Sequence, residues 1–225
     1  MISQLRHLGS DGRRTIPSNL GEVIAIDGGL DHSAALRADG TVAAWGRDSG
    51  HEGITTVPPD LAHVVQIDCG FAWTVARKMD GSLAAWGAND CGQIRKLPTE
   101  RGFVQVSAGN MHGAALRADR TVVCWGRNDY GQSTVPSGLR DVKSVVASGH
   151  DTFALKADGT VVAWGASSQG QLYIPEGLSD VAAIAATDFS VLALRKNGAV
   201  VAWGSSSTIP EGLKNVVGIY AALSF

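Results

Sequence analysis

An all-β chain folded as a β-propeller of about six short, mostly three-stranded blades is the architecture this sequence predicts, and three observations predict it. A Trp-Gly dipeptide recurs at Trp45-Gly46, Trp86-Gly87, Trp125-Gly126, Trp164-Gly165 and Trp203-Gly204, at spacings of 41, 39, 39 and 39 residues. A proline beside a short polar loop and an apolar run keeps the same step, at Pro17, Pro58, Pro98, Pro136, Pro175 and Pro210. Each unit then divides into three runs of four to seven residues rich in Val, Ile, Ala and Leu, such as 23–28, 33–37 and 41–45, which leaves no room for helices. Meanders of this period cannot bury both of their faces alone. They must stack, and stacking them around an axis makes a propeller.

Each element has a local reason. The indole of every Trp-Gly is expected to pack between neighbouring blades, while the glycine lets the chain leave the strand sharply. Between the second and third strands lie Ala38-Asp39-Gly40, Met79-Asp80-Gly81, Ala157-Asp158-Gly159 and Lys196-Asn197-Gly198, whose Asp-Gly and Asn-Gly steps fit two-residue hairpin turns. The chain reads as one domain, 1–225, with repeats at about 22–58, 63–98, 103–136, 142–175 and 181–210 and a partial sixth from 216–225 plus 1–17. Ring closure is expected where the N-terminal segment Ser3 to Leu8 joins the C-terminal unit that begins at Val216, because strand exchange removes exposed sheet edges. One strand of that blade is missing by count, so it is either thin or completed by a second chain; the molecule is a monomer or a strand-sharing homodimer.

Bulk properties bound the function. Nineteen Lys and Arg stand against 21 Asp and Glu, a net charge of -2, so nothing favours nucleic acid or an anionic membrane. No apolar run reaches membrane-spanning length and the start lacks a signal-peptide layout, so the chain reads as soluble and cytoplasmic as written, or secreted if a leader was removed. Cys69, Cys91 and Cys124 form no CxxC pair, which indicates neither a disulfide framework nor a metal site.

The strings Val-Val-Ala-Trp-Gly, then Asn128-Asp129-Tyr130-Gly131-Gln132-Ser133-Thr134-Val135-Pro136-Ser137-Gly138-Leu139, then an Ala-Ser-Gly-His or Gly-Gly-Leu-Asp-His turn, resemble the regulator of chromosome condensation repeat. The 39-residue unit is most similar to the short-repeat bacterial type exemplified by beta-lactamase inhibitory protein II. The resemblance covers about residues 20 to 220. It implies a propeller that can act as an inhibitor, with aromatic residues in two loop types touching the partner; carried onto this chain they are Phe71, Trp73, Tyr130 and Phe189.

Strand direction sorts the loops independently. In an antiparallel meander, the loop between the first and second strands and the exit from the third share one mouth, with the Asp-Gly turns at the opposite end. The mouth would carry Leu30, Asp31 and His32; Phe71 and Trp73; Asn110, Met111 and His112; His150 and Asp151; and Asp188 and Phe189, with exit-loop residues Asp48, Asp90, Asp129 and Tyr130. Aromatic anchors among short polar side chains are what interface hot spots use. Two readings stand for some of these positions: Phe71 and Trp73 are either exposed or buried between blades, and His32 and His112 are either contact residues or hydrogen-bonded wall residues. At the other end Arg37, Lys78, Arg117, Lys156 and Arg195 each precede an Asp or Asn by two residues and are expected to pair with it.

No GxSxG, HExxH or P-loop occurs, and the loop acids repeat from unit to unit, whereas a catalytic pair needs two different environments. The sequence therefore predicts a non-enzymatic protein-binding propeller with no cofactor and no metal. The alternatives are a carbohydrate- or nucleotide-handling module and a truncated scaffold domain of a larger protein.

Overall fold

A computed structural model describes residues 16–47, 53–205 and 208–221. Five antiparallel sheets follow one another, each three strands in chain order. Blade 1 holds β1 (Val23–Gly28), β2 (His32–Arg37) and β3 (Val42–Gly46); blade 2 holds β4 (Val64–Cys69), β5 (Trp73–Lys78) and β6 (Leu83–Gly87). Blade 3 has β7 (Phe103–Ala108), β8 (His112–Arg117) and β9 (Val122–Gly126); blade 4 has β10 (Val142–Ser148), β11 (Asp151–Lys156) and β12 (Val161–Gly165); blade 5 has β13 (Val181–Ala186), β14 (Ser190–Arg195) and β15 (Val200–Gly204). First strands of successive blades lie side by side and also meet the preceding middle strand, while third strands stay apart. Blades fanning out from an axis have this geometry, so the predicted propeller is the fold observed.

The core lies between blades. Leu36 and Val42 of blade 1 pack with Val64, Ile67 and Trp86 of blade 2, and Trp125, Trp164 and Trp203 occupy the same place at the next three junctions. Three of these indoles also donate a hydrogen bond backwards: Trp125 to the carbonyl of Gln93 at 2.8 Å, Trp164 to that of Gln132 at 3.0 Å and Trp203 to that of Gln171 at 2.6 Å. The Gly-Gln of the repeat thus has a function that the sequence pattern did not disclose. Its buried glutamine accepts the N–H two residues earlier, shaping the exit loop, and offers its carbonyl to the next tryptophan.

Polar ties join the inner strands. Gln66 accepts from the N–H of Val106 and donates to its carbonyl, and Gln105 does the same with Val145. One step along, Asp27, Asp68 and Ser107 accept the N–H groups of Cys69, Ala108 and Ala147. Burial raises the carboxyls of Asp27 and Asp68, and Asp27 raises Asp68 further. Replacing Gln105 by alanine is expected to leave the Val145 N–H and carbonyl without these partners and to cost about 1–3 kcal/mol, measured by urea unfolding.

Two expectations need correction. The turns between middle and third strands are three-residue loops with positive φ only at their last residue, Gly40, Gly81, Arg120, Gly159 or Asn197's neighbour Gly198, so they are type I turns closed by a left-handed residue. Nor do the basic residues generally pair with the turn acids. Asp39, Asp80, Asp119 and Asp158 accept the N–H and the hydroxyl of the Thr or Ser two positions on, which holds their carboxyls below the usual range. Lys156 does meet Asp158 at 2.9 Å, but Arg117 turns to Glu100, and Arg37 and Arg195 donate to the carbonyls of Leu20 and Ser179. A turn aspartate satisfied within its own loop has little to gain from a mobile cation in water.

The segment expected to join the ring from the N-terminus lies outside the described residues. Residues 208–221 contain no strand. Even so, the Val216 N–H reaches the carbonyl of Gly198 at 3.2 Å, repeating the bond by which Val64, Phe103, Val142 and Val181 dock on the preceding turn. The docking bond forms without the ladder, because a first strand needs a second one beside it.

Candidate functional site

Loops between first and middle strands and exits from third strands do share one mouth. The N–H groups of Arg47, Ala88, Arg127, Ala166 and Ser205 bond to the carbonyls of Asp31, Ala72, Met111, His150 and Phe189 within their own blades. This approach is why each Trp is followed by Gly: at Gly165, φ is +135° and a Cβ would lie 2.3 Å from the His150 carbonyl oxygen. Adjacent loops are then laced together, Leu30 N–H to Phe71 O at 2.9 Å, Phe71 to Asn110 at 3.2 Å and Asn110 to Gly149 at 3.0 Å. At the next step the pattern changes: the Asp188 carbonyl accepts the side-chain amide of Gln171 at 2.9 Å. A recess of about 100 Å³ opens there, lined by Asn110, His150, Asp151, Gln171, Asp188 and Phe189.

The sequence-derived contact residues divide into wall and rim. Trp73, His112 and Asp151 are buried, at 0%, 0% and 2% exposure, and so stand in the wall of the mouth rather than on its open rim. The cause is a shared slot. The first residue of each middle strand is turned inward under the loop belt, where it ties two blades or two loops together. The Trp73 indole donates to the carbonyls of Gly109 and Asn110, both at 3.1 Å. His112 Nε2 lies 2.9 Å from Thr152 Oγ1, and that hydroxyl donates to Gln132 O, so the imidazole carries its proton on Nε2 and donates. At the equivalent place in the first blade His32 Nε2 lies 2.7 Å from Thr74 Oγ1. Asp151 accepts the N–H groups of Ala166 and Ser167, and burial pushes its carboxyl up.

On the rim, Tyr130 and Phe189 are each 52% exposed. Phe71, Met111 and His150 are half-buried, Phe71 against Ile54, Ala72 and Ala88, and Asp90 and Asp129 are exposed. Asp48 lies outside the described residues. Tyr130 has two neighbours, with the Arg127 guanidinium 5.7 Å from its ring centre and the His150 ring 5.5 Å away; Asp129 fixes that guanidinium at 2.6 Å. Sequence reading placed Asn110 and Asp188 at the mouth without joining them. In the fold the Asn110 side-chain amide donates to Asp188 at 3.3 Å, across 78 residues of chain.

The model of the regulator of chromosome condensation (RCC1) repeat matches residues 23–52 and 103–132, two stretches one double period apart. Two stretches of the chain thus match the RCC1 repeat, and its fold is a propeller. Solved structures similar to it include the ectodomain of the Physcomitrella patens receptor kinase CR4, at 24% identity and a TM-score of 0.66 over 85% of this chain and 53% of that one. Yeast RCC1 (Prp20) bound to Kap60 is similar at 22% identity and 0.66 over 81% and 56%. Prp20p from Saccharomyces cerevisiae, described with its binding properties to Gsp1p and histones, is similar at 24% and 0.65 over 81% and 57%. This chain spans just over half the length of each. No curated protein matches it. Among the described residues no helix is long and apolar enough to cross a membrane, and no group of three or more His, Cys, Asp or Glu could hold a metal.

Proposed function

We propose that the mouth of this propeller is a protein-binding face and that the chain acts by binding rather than by catalysis. One observation carries the reading: Tyr130 and Phe189 stand half-exposed on loops of different blades while each backbone is held within its own blade, the Tyr130 N–H by the Gln132 side chain and the Phe189 carbonyl by the Ser205 N–H. Rigid aromatic side chains lose little entropy on binding, which is why such residues dominate interface energies. Arg127 and His150 hold the Tyr130 ring before any partner arrives. Similar propellers in yeast are described with the proteins Kap60, Gsp1p and histones, which supports a protein as the class of partner. The partner can itself be an enzyme, in which case binding would inhibit it.

Affinity capture from the source organism tests this, with Tyr130→Ala and Phe189→Ala as controls. Each substitution is expected to weaken capture by about 2 kcal/mol, roughly 30-fold in Kd, with thermal unfolding unchanged. Wild-type capture by both variants would move the binding face elsewhere.

A further inference from the structure

We infer that the recess between blades 4 and 5 is an arginine socket, which receives the guanidinium of a residue presented by the partner protein and uses Asp188 Oδ1 as its principal acceptor. This rests on the mouth being the binding face. Asp188 is one of the residues lining the recess; its Oδ1 is buried and has no hydrogen-bond partner, while its other oxygen holds Asn110. A buried acceptor left unmatched costs free energy in the unbound protein, and a bound donor recovers it. His150, another lining residue, likewise has a buried and unmatched Nδ1.

Charge decides the class of occupant. Two acidic residues, Asp151 and Asp188, belong to the lining, which holds no Lys or Arg, and Asp151 Oδ1 is already committed to the N–H groups of Ala166 and Ser167, leaving Asp188 as the acceptor. An anion would be repelled, and a neutral amide would leave the Asp188 charge uncompensated. Between cations, the volume has room for about three waters, enough for the flat head of one side chain. A guanidinium presents several donors in one plane and stacks on aromatic rings, so it can serve Asp188 and His150 together while lying against Phe189; an ammonium offers no such face.

Nitrogen-15 NMR of the whole chain, titrated with N-acetylarginine amide, reads the socket directly. Saturable shifts are expected at the amides of residues 149–151 and 188–189, smaller with N-acetyllysine amide and absent with N-acetylglutamine amide. Asp188→Asn is expected to weaken the response about tenfold, the loss of one charge-assisted contact, while Asn110→Ala keeps the carboxylate and retains most of it. If Asp188→Asn fails to fold, Phe189→Ala supplies the second arm, with a weakened arginine response expected. Shifts that do not saturate, an equal response to the glutamine probe, or unaltered arginine binding in folded Asp188→Asn or in Phe189→Ala would overturn the socket. Partner capture separates this from the broader reading: capture kept by Asp188→Asn but lost by Tyr130→Ala removes the socket alone, and capture kept by both Tyr130→Ala and Phe189→Ala removes the mouth.

Discussion

Trp73→Ala is expected to destabilise the protein by about 4 kcal/mol and to lower Tm by about 10 °C, a far larger effect than either rim substitution. The indole is fully buried, meets Trp125 edge-on at 6.4 Å and 81°, and gives its N–H to two carbonyls of the next blade. Truncation leaves a cavity at a blade junction and two carbonyls without that donor. The space is shaped closely around the ring: a Cβ at Gly70 would lie 2.0 Å from the indole nitrogen. Chemical unfolding measures the loss. Any weakening of partner capture in this variant would follow from disorder in the loop belt, so a variant with wild-type stability would refute the structural role given to this residue.

The second large effect is acid destabilisation through His112. Burial, followed by the nearby His150, pushes its imidazole down to about 3, against about 6.5 in an unfolded chain. A base whose folded value is depressed stabilises fully above the unfolded value and loses that contribution as pH falls. Between pH 7.5 and 4.5 the unfolded chain takes up a proton that the folded wall refuses, and stability falls by about 2–3 kcal/mol from this residue alone. Asp27 and Asp68 act in the opposite sense, because a carboxyl raised by burial is stabilising in acid and costs stability as pH rises. The histidine is therefore isolated by difference. His112→Gln, which retains a donor for Thr152, is expected to show a shallower loss of unfolding free energy across that window; parallel curves would refute the assignment.

The blade pattern was legible because it repeats: Trp-Gly, the proline and the turn acids each recur with one period, and radial stacking is the way to bury what lies between them. The wall was harder to read. Middle strands are covered on both faces, as in β5, where Trp73, Thr74, Val75 and Ala76 are all buried, so alternation gives no sign of which side chain points out. Trp73 and His112 looked like contact residues because they begin a strand beside a loop, and the inward slot appears only when the next blade is in place. The exposure of Tyr130 could be read because it lies in a polar loop with no ladder to bury it. The recess could not be read at all, since Asn110 and Asp188 come together only through the curvature of the ring.

The fifth blade is tied to the fourth by other bonds than its predecessors use, among them Lys143 Nζ to the Ala182 carbonyl at 3.3 Å. Where Asp27, Asp68 and Ser107 carry an oxygen to grip the following inner strand, the fourth blade has Val146, and the loop belt also changes its bonding at this step. Greasy contact holds a sheet in place but lets it slide a little, while directional bonds do not. A guest seated in the arginine socket would bridge this seam and act as a rivet between two plates.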